Sequence, residues 1–139
     1  MDLEQEIDRF FAAKLISEFR FVRKCSWDVS YQSLLYLNLI RYCGGSTVGR
    51  LADILGIDKP TASRKVDALV RDGMVSKVRD DSDGRIHRLE LTPEWSRMYD
   101  DDDVPYDRAV ARMLSEFSED EVSAVCRAMR IMSEELEKG

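Results

Sequence analysis

The chain has 139 residues, 44% hydrophobic and 35% charged, which fits one globular domain and is too apolar for intrinsic disorder and too charged for a membrane protein. Its net charge of −6, from 21 basic and 27 acidic residues, taken alone argues against a phosphate-rich partner. The acid is unevenly spread, however: Thr47 to Thr92 hold 9 Lys/Arg against 8 Asp/Glu, leaving 12 against 19 elsewhere, so the middle third is the part able to meet a polyanion.

From Leu3 to Val22, the residues Leu3, Ile7, Phe10, Phe11, Leu15, Phe19 and Val22 recur at steps of three and four, which predicts a first amphipathic helix of about five turns. Ser30 can cap a second helix with Leu34, Leu35, Leu37, Leu39 and Ile40 as its core, stopped by Gly44-Gly45. Thr47 can cap a short third helix with Val48, Leu51, Ala52 and Leu55 inward and Gly56 closing it. Asp58 then caps a fourth helix running to Gly73, with Pro60 in its first turn, where a missing N–H costs nothing. Two short helices joined by a glycine-containing turn form a helix-turn-helix pattern.

In the fourth helix Ala62, Val66, Leu69 and Val70 make the inward stripe, and Arg64 points away from it. The outward face therefore begins with Pro60, Thr61, Ser63 and Arg64, flanked by Lys59 and Lys65. Short hydroxyls and long cations on the first two turns suit a DNA major groove, where Arg can bond guanine bidentately and Ser or Thr can serve several bases.

Met74 to Arg79 and Arg85 to Leu91 are β-prone runs bracketing the Asp80-Asp-Ser-Asp-Gly84 turn, which predicts a hairpin directly after the recognition-type helix, that is, a wing. Alternation puts His87, Leu89 and Leu91 on one face, with His87 expected to be packed or hydrogen-bonded, and Ile86, Arg88 and Glu90 on the other. Thr92-Pro93-Glu94 starts a further helix, interrupted between Asp100 and Pro105 and resumed through Tyr106, Ala109, Val110, Met113, Leu114 and Phe117. Ser118 and Glu121 form a capping box for a last helix with Val122, Val125, Cys126, Met129, Met132 and Leu136 on one face. The aspartates from Asp100 to Asp103 read as an exposed helix start rather than a cation site, since consecutive helical residues point in different directions.

The stretch Ser30 to Ile40 is uncharged but carries Ser, Gln, Asn and Tyr, well short of the roughly 20 apolar residues that span a bilayer. With an acidic Met1-Asp-Leu-Glu-Gln-Glu start in place of a secretory signal, no membrane partner and a cytoplasmic location are expected. Three cysteines without a C-x-x-C spacing and a single histidine leave no disulfide framework, no metal site and no cofactor to expect. Cys43 and Cys126 read as core residues.

The residues Leu51-Ala52, Leu55-Gly56, Thr61-Ala-Ser-Arg64, Val66-Asp67, Leu69, Asp72-Gly73, Asp83-Gly-Arg85 and Leu91-Thr-Pro-Glu94 resemble the MarR family of winged-helix transcription regulators. The wing carries the most specific part, an Asp and an Arg followed by Leu-Thr-Pro with the Arg seven residues before Thr92. The fold so implied is mainly α with a small two-stranded β wing, a winged helix-turn-helix over 30–92 in a single domain whose segments 1–24 and 93–139 are dimerisation helices. The implied function is sequence-specific binding of double-stranded DNA by a homodimer, most often a repressor on a pseudo-palindromic operator, released by a small ligand or an oxidant. The resemblance places Lys59, Pro60, Thr61, Ser63, Arg64 and Lys65 on the recognition helix. On the wing it assigns Asp83, Arg85 and Arg88, Arg85 entering the minor groove with Asp83 orienting it. Thr47 and Lys77 are candidate phosphate contacts. Gly84 departs from the pattern, standing where the wing often has a second basic residue.

Trp27 and Tyr31 are candidates for lining an effector pocket, against the plainer reading of Trp27, Tyr31, Tyr36 and Trp95 as core aromatics. Cys25, beside Arg23 and Lys24, is the candidate redox thiol, because positive neighbours favour a thiolate. An enzyme is disfavoured, since the sequence has no glycine-rich phosphate loop, no G-x-S-x-G and no recognisable nucleophile partner for its histidine. The alternative that survives is a winged-helix module that binds a protein without specific DNA binding, which the negative charge permits.

Overall fold

The computed structural model describes residues 1–24, 29–42, 47–102 and 104–139. In chain order the elements are α1 (Leu3–Lys24), α2 (Tyr31–Tyr42), α3 (Val48–Leu55), α4 (Lys59–Arg71), β1 (Val75–Arg79), β2 (His87–Leu91), α5 (Pro93–Asp102), α6 (Val104–Glu116) and α7 (Glu119–Glu137). The fold is thus mainly α with a two-stranded antiparallel wing, and the chain divides into two compact units, Met1–Met98 and Tyr99–Gly139.

In the first unit, local chemistry sets the helix ends. Ser30 Oγ accepts from the Ser33 backbone N–H at 3.1 Å and starts α2, and Thr47 Oγ1 accepts from the Arg50 N–H at 3.0 Å and starts α3. Both helices of the helix-turn-helix end in glycine turns. Gly56 takes φ 65° and the Ile57 N–H reaches back to the Ala52 carbonyl at 3.1 Å, while Gly73 takes φ 78° and the Met74 N–H reaches Leu69 at 2.9 Å. An L side chain at either glycine would be strained in this left-handed region.

The core of this unit gathers Leu37, Leu51, Ala62, Val66, Leu69, Met74, Val75, Leu89 and Trp95, all essentially inaccessible. There α3 packs on α4, α2 lies against α3 and β2, and α4 lies against β1. Phe21 of α1 meets the Trp95 ring edge-on, with centroids 6.2 Å apart. The wing runs from Val75 opposite Leu91 to Arg79 opposite His87, and its base is tied by the Thr92 N–H to the Met74 carbonyl and by the Thr92 hydroxyl to the Gly73 carbonyl.

Several expected core positions are not core. Leu35 is exposed because it lies on the face of α2 opposite Leu34 and Leu37, and Val70 stands at the solvent margin of α4. His87 is exposed rather than packed, since it sits beyond Leu89 at the tip end of the hairpin, where neither helix covers it. On α1, Phe10, Phe11, Leu15 and Phe19 are each about half exposed, and Phe21 is the buried residue of the helix.

In the second unit, α6 packs against α7, and Ser118 caps α7 with a reciprocal pair: its hydroxyl accepts from the Glu121 N–H, and the Glu121 carboxylate accepts from the Ser118 N–H, both at 3.2 Å. The interruption expected near Pro105 is present, α5 ending at Asp102 and α6 restarting at Val104 with Pro105 in its first turn; Asp103 lies outside the described residues. No residue of α7 is buried. Cys126 is exposed where a core position was expected, although Val122, Val125 and Met132 of the same stripe are half-buried. Cys43 lies outside the described residues.

Candidate nucleic-acid interface

The helix α4, the candidate recognition helix, is organised at its first turn. The Asp58 carboxylate accepts from the Thr61 backbone N–H at 2.7 Å and from the Thr61 hydroxyl at 2.9 Å, and Thr61 Oγ1 in turn accepts from Arg64 Nη2 at 3.3 Å. These bonds, the Thr61 backbone N–H first and its hydroxyl next, with the Arg64 charge adding, hold the Asp58 carboxyl below its ordinary value. The cap is therefore ionised at neutral pH, and the Arg64 guanidinium is anchored at one end while its other nitrogens stay available as donors.

With Ala62, Val66 and Leu69 turned inward, Lys59, Pro60 and Arg64 are exposed and Thr61 and Ser63 half-exposed, so they share the solvent side of the helix. Lys65 stands apart from this set. Its Nζ donates to Ser33 Oγ at 2.8 Å, tying α4 to the first turn of α2, where Ser33 and Ser30 hydroxyls also meet at 3.0 Å.

The wing tip is a chain of short local bonds. Asp80 Oδ1 accepts from the Ser82 hydroxyl at 2.6 Å and its N–H at 2.8 Å, which lower the Asp80 carboxyl below its usual value. Asp83 Oδ1 accepts from the Arg85 backbone N–H at 3.0 Å. Asp83 thus fixes the backbone that launches Arg85, and the guanidinium itself makes no hydrogen bond among the described residues.

Arg79 bends over the turn, its Nε donating to the Gly84 carbonyl at 3.1 Å. A Cβ at position 84 would lie 2.6 Å from Arg79 Nη2, so the glycine leaves room for this guanidinium. Sequence reasoning missed Arg79, and the one signal for it is Gly84 in a place where a basic side chain was expected.

Between α4 and the wing lies a cleft of about 330 Å³. Lys59 and Ser63 face it from α4, Thr47 from the cap of α3, Lys77 from β1, and Arg85 and His87 from the wing. None of the residues lining it is a carboxylate, so it is a cationic recess inside an acidic chain. Lys77 is restrained at its far side, with Nζ 2.7 Å from Asp67 Oδ1 of α4. Arg88 belongs elsewhere: alternation puts it on the opposite face of the hairpin from Lys77 and Leu89, and it is paired with Glu90 at 2.9 Å.

Of the other candidates, Tyr31 opens α2 and is largely exposed, whereas Trp27 and Cys25 lie outside the described residues. Tyr36 and Trp95 are core aromatics, and burial pushes the Tyr36 hydroxyl up.

The model of the MarR family matches residues 27–86, from just before α2 to the wing tip, and so contains α4 and two of the three candidate wing residues, Asp83 and Arg85, but not Arg88. The likeness to the MarR family therefore rests on the helix-turn-helix and the wing tip, less than half of the chain. Solved structures extend the likeness beyond that segment. A DNA complex of FabT from Streptococcus pneumoniae matches with 19% identity and a TM-score of 0.68, over 98% of this chain and 96% of the other. A variant of MepR from S. aureus bound to an oligodeoxyribonucleotide matches with 18% identity and a TM-score of 0.54, over 98% and 99%. MarR of Staphylococcus aureus in complex with salicylate and kanamycin matches with 22% identity and a TM-score of 0.58, over 98% and 93%. At these identities the structures establish the shared MarR fold. No curated protein matched the sequence.

Proposed function

We propose that this protein is a MarR-family regulator, a homodimeric repressor that places α4 of each protomer in the major groove of a pseudo-palindromic operator and Arg85 in the adjoining minor groove. The observation that carries the reading is the solvent side of α4, where the Asp58–Thr61–Arg64 chain presents an oriented guanidinium beside a cleft lined by Lys59, Lys77 and Arg85. Arg64 supplies bidentate donors for guanine, Thr61 and Ser63 supply adaptable hydroxyls, and Lys59, Lys77 and Thr47 hold phosphates that position the helix without specifying sequence. Arg85, whose guanidinium makes no hydrogen bond among the described residues, reads the width and potential of the minor groove. Lys65 acts by bracing α4 against α2, and Arg88 contributes at most through the outer face of the wing.

The homodimer is supported by the apolar surface on α1, α6 and α7. Phe10, Phe11, Leu15 and Phe19 together with Tyr106, Leu114, Ile131 and Leu136 form more exposed apolar side chain than a monomer ordinarily carries. We assign segments 1–24 and 93–139 to this interface and 30–92 to the DNA-binding lobe, working in the cytoplasm without catalysis. Two-fold symmetry then spaces the recognition helices about one DNA turn, roughly 34 Å, apart. A small ligand or an oxidant that alters that spacing would release the operator, and the complex of the S. aureus relative with salicylate and kanamycin supports the first.

The test is fluorescence anisotropy on a duplex selected from a random pool and on its scrambled counterpart, at two salt concentrations. Specific binding that weakens steeply as salt rises is the expected result, because each neutralised phosphate releases counterions. Binding indifferent to sequence and salt would refute the reading in favour of a protein-interaction module.

A further inference from the structure

His87 is the single histidine of the sequence, and nothing in the reading above uses it. It begins β2, is exposed, and lines the cleft between α4 and the wing. Its imidazole makes no hydrogen bond among the described residues. The groups that face it can be named element by element. Lys59 and Ser63 come from α4, Thr47 from the start of α3, Lys77 from β1 and Arg85 from the tip. Arg79 is its register partner across the ladder. Two acids border this set: Asp67 is bonded to Lys77 at 2.7 Å, and Asp80, whose N–H donates to the Ile86 carbonyl at 2.9 Å, is engaged by the Ser82 hydroxyl. The cleft that His87 lines thus carries cations and hydroxyls from three other elements and no lining carboxylate.

A DNA phosphate entering the cleft reverses that field. Lys59, Lys77 and Arg85 would then be neutralised from the solvent side, and the imidazole N–H groups would have an anionic acceptor. Resting on the DNA-binding reading, we propose that His87 contacts a backbone phosphate as the imidazolium, so that operator binding takes up one proton per protomer. Histidine is the side chain whose charge ordinarily changes between about pH 5 and pH 8. By linkage, affinity then rises as pH falls across that range, with a slope of at most one decade per pH unit for each proton, two for the dimer. Because a phosphate contact carries no base information, the effect is the same for specific and scrambled duplex.

The experiment compares wild type, His87→Gln and His87→Lys on a selected duplex of about 25 base pairs, long enough for two half-sites one turn apart, by anisotropy at about pH 6 and pH 8. Wild type should bind roughly two- to fivefold tighter at the lower pH, the range of a solvent-exposed ion pair. His87→Gln should be flat and equal to wild type at the higher pH, and His87→Lys should be flat at the level wild type reaches at the lower pH. In parallel, the one imidazole Cε1–H resonance of the chain should titrate at higher pH in the complex than in the unbound protein. Tight binding by wild type with no pH dependence, or an unchanged dependence in His87→Gln, overturns the inference and leaves the regulator reading standing. No DNA binding by wild type at either pH overturns both.

Discussion

Phe11 offers the sharpest test of the dimer. It lies on α1 with 55% of its surface exposed and belongs to a stripe with Leu15 and Phe19 that nothing among the described residues covers. A phenylalanine presents about 200 Å², so roughly 110 Å² is available for burial, about 3 kcal/mol per protomer at about 25 cal/mol per Å². A two-fold interface uses each residue twice, giving an upper limit of about 6 kcal/mol. Alanine retains part of that area, and a real interface covers only part of the side chain, so Phe11→Ala should cost about 2 to 3 kcal/mol, roughly a hundredfold in the dimer dissociation constant. Sedimentation velocity over about three decades of concentration measures this directly. The variant should keep the helical content of wild type, because Phe11 supports no part of the described core. An unchanged monomer–dimer equilibrium, or a wild-type protein that stays monomeric throughout, would refute the argument that the stripe is an interface.

Leu51 is fully buried where α3 meets α4, so Leu51→Ala should lower stability by about 2 to 5 kcal/mol in urea unfolding; a loss below about 1 kcal/mol would mean that the helix-turn-helix is not the packed centre of its unit. Gly84→Ala puts a Cβ 2.6 Å from Arg79 Nη2 and should displace that guanidinium without unfolding the hairpin. Its effect on DNA affinity should then equal that of Arg79→Ala and should not add to it, a double-mutant cycle in which additive losses would contradict the geometry. The Asp58 carboxyl is held below its ordinary value by Thr61, so its contribution to the first turn of α4 is fully present above about pH 4 and is lost as pH falls through the lowered value. Amide exchange at the start of α4 should accelerate in that acid window in wild type, whereas Asp58→Asn should keep the cap without the pH dependence.

The fold was legible because its determinants are local. Thr47, Asp58 and Ser118 announce their helices, Gly56 and Gly73 stop theirs, and the Ala62, Val66 and Leu69 spacing fixes which side of α4 is buried. Legibility failed where an outcome depends on what another segment covers. The expectation for His87 rested on sharing a face with Leu89, but burial on that face ends at Leu89, one alternation short of the tip. Leu35 and Cys126 lie on stripes whose periodicity is genuine, yet periodicity reports a face and not its cover. The bonds that differentiate the cations were also invisible. Lys65 reaches Ser33 across 32 residues of sequence and Arg79 reaches Gly84 only because a Cβ is missing, neither of which a spacing rule encodes.

The central claim is that Arg64 reads a base while Lys59 holds a phosphate. The most direct measurement takes the selected duplex, changes each base pair in turn, and records affinities for wild type, Arg64→Ala and Lys59→Ala. Arg64→Ala should lose about 1 to 3 kcal/mol on the parent duplex and, at one symmetry-related pair of positions, should no longer distinguish the bases. Lys59→Ala should weaken every duplex alike and reduce the salt slope by about one ion. A loss for Arg64→Ala that is uniform over all duplexes would show that α4 only grips the backbone, and the assignment of sequence reading to its first turn would be wrong.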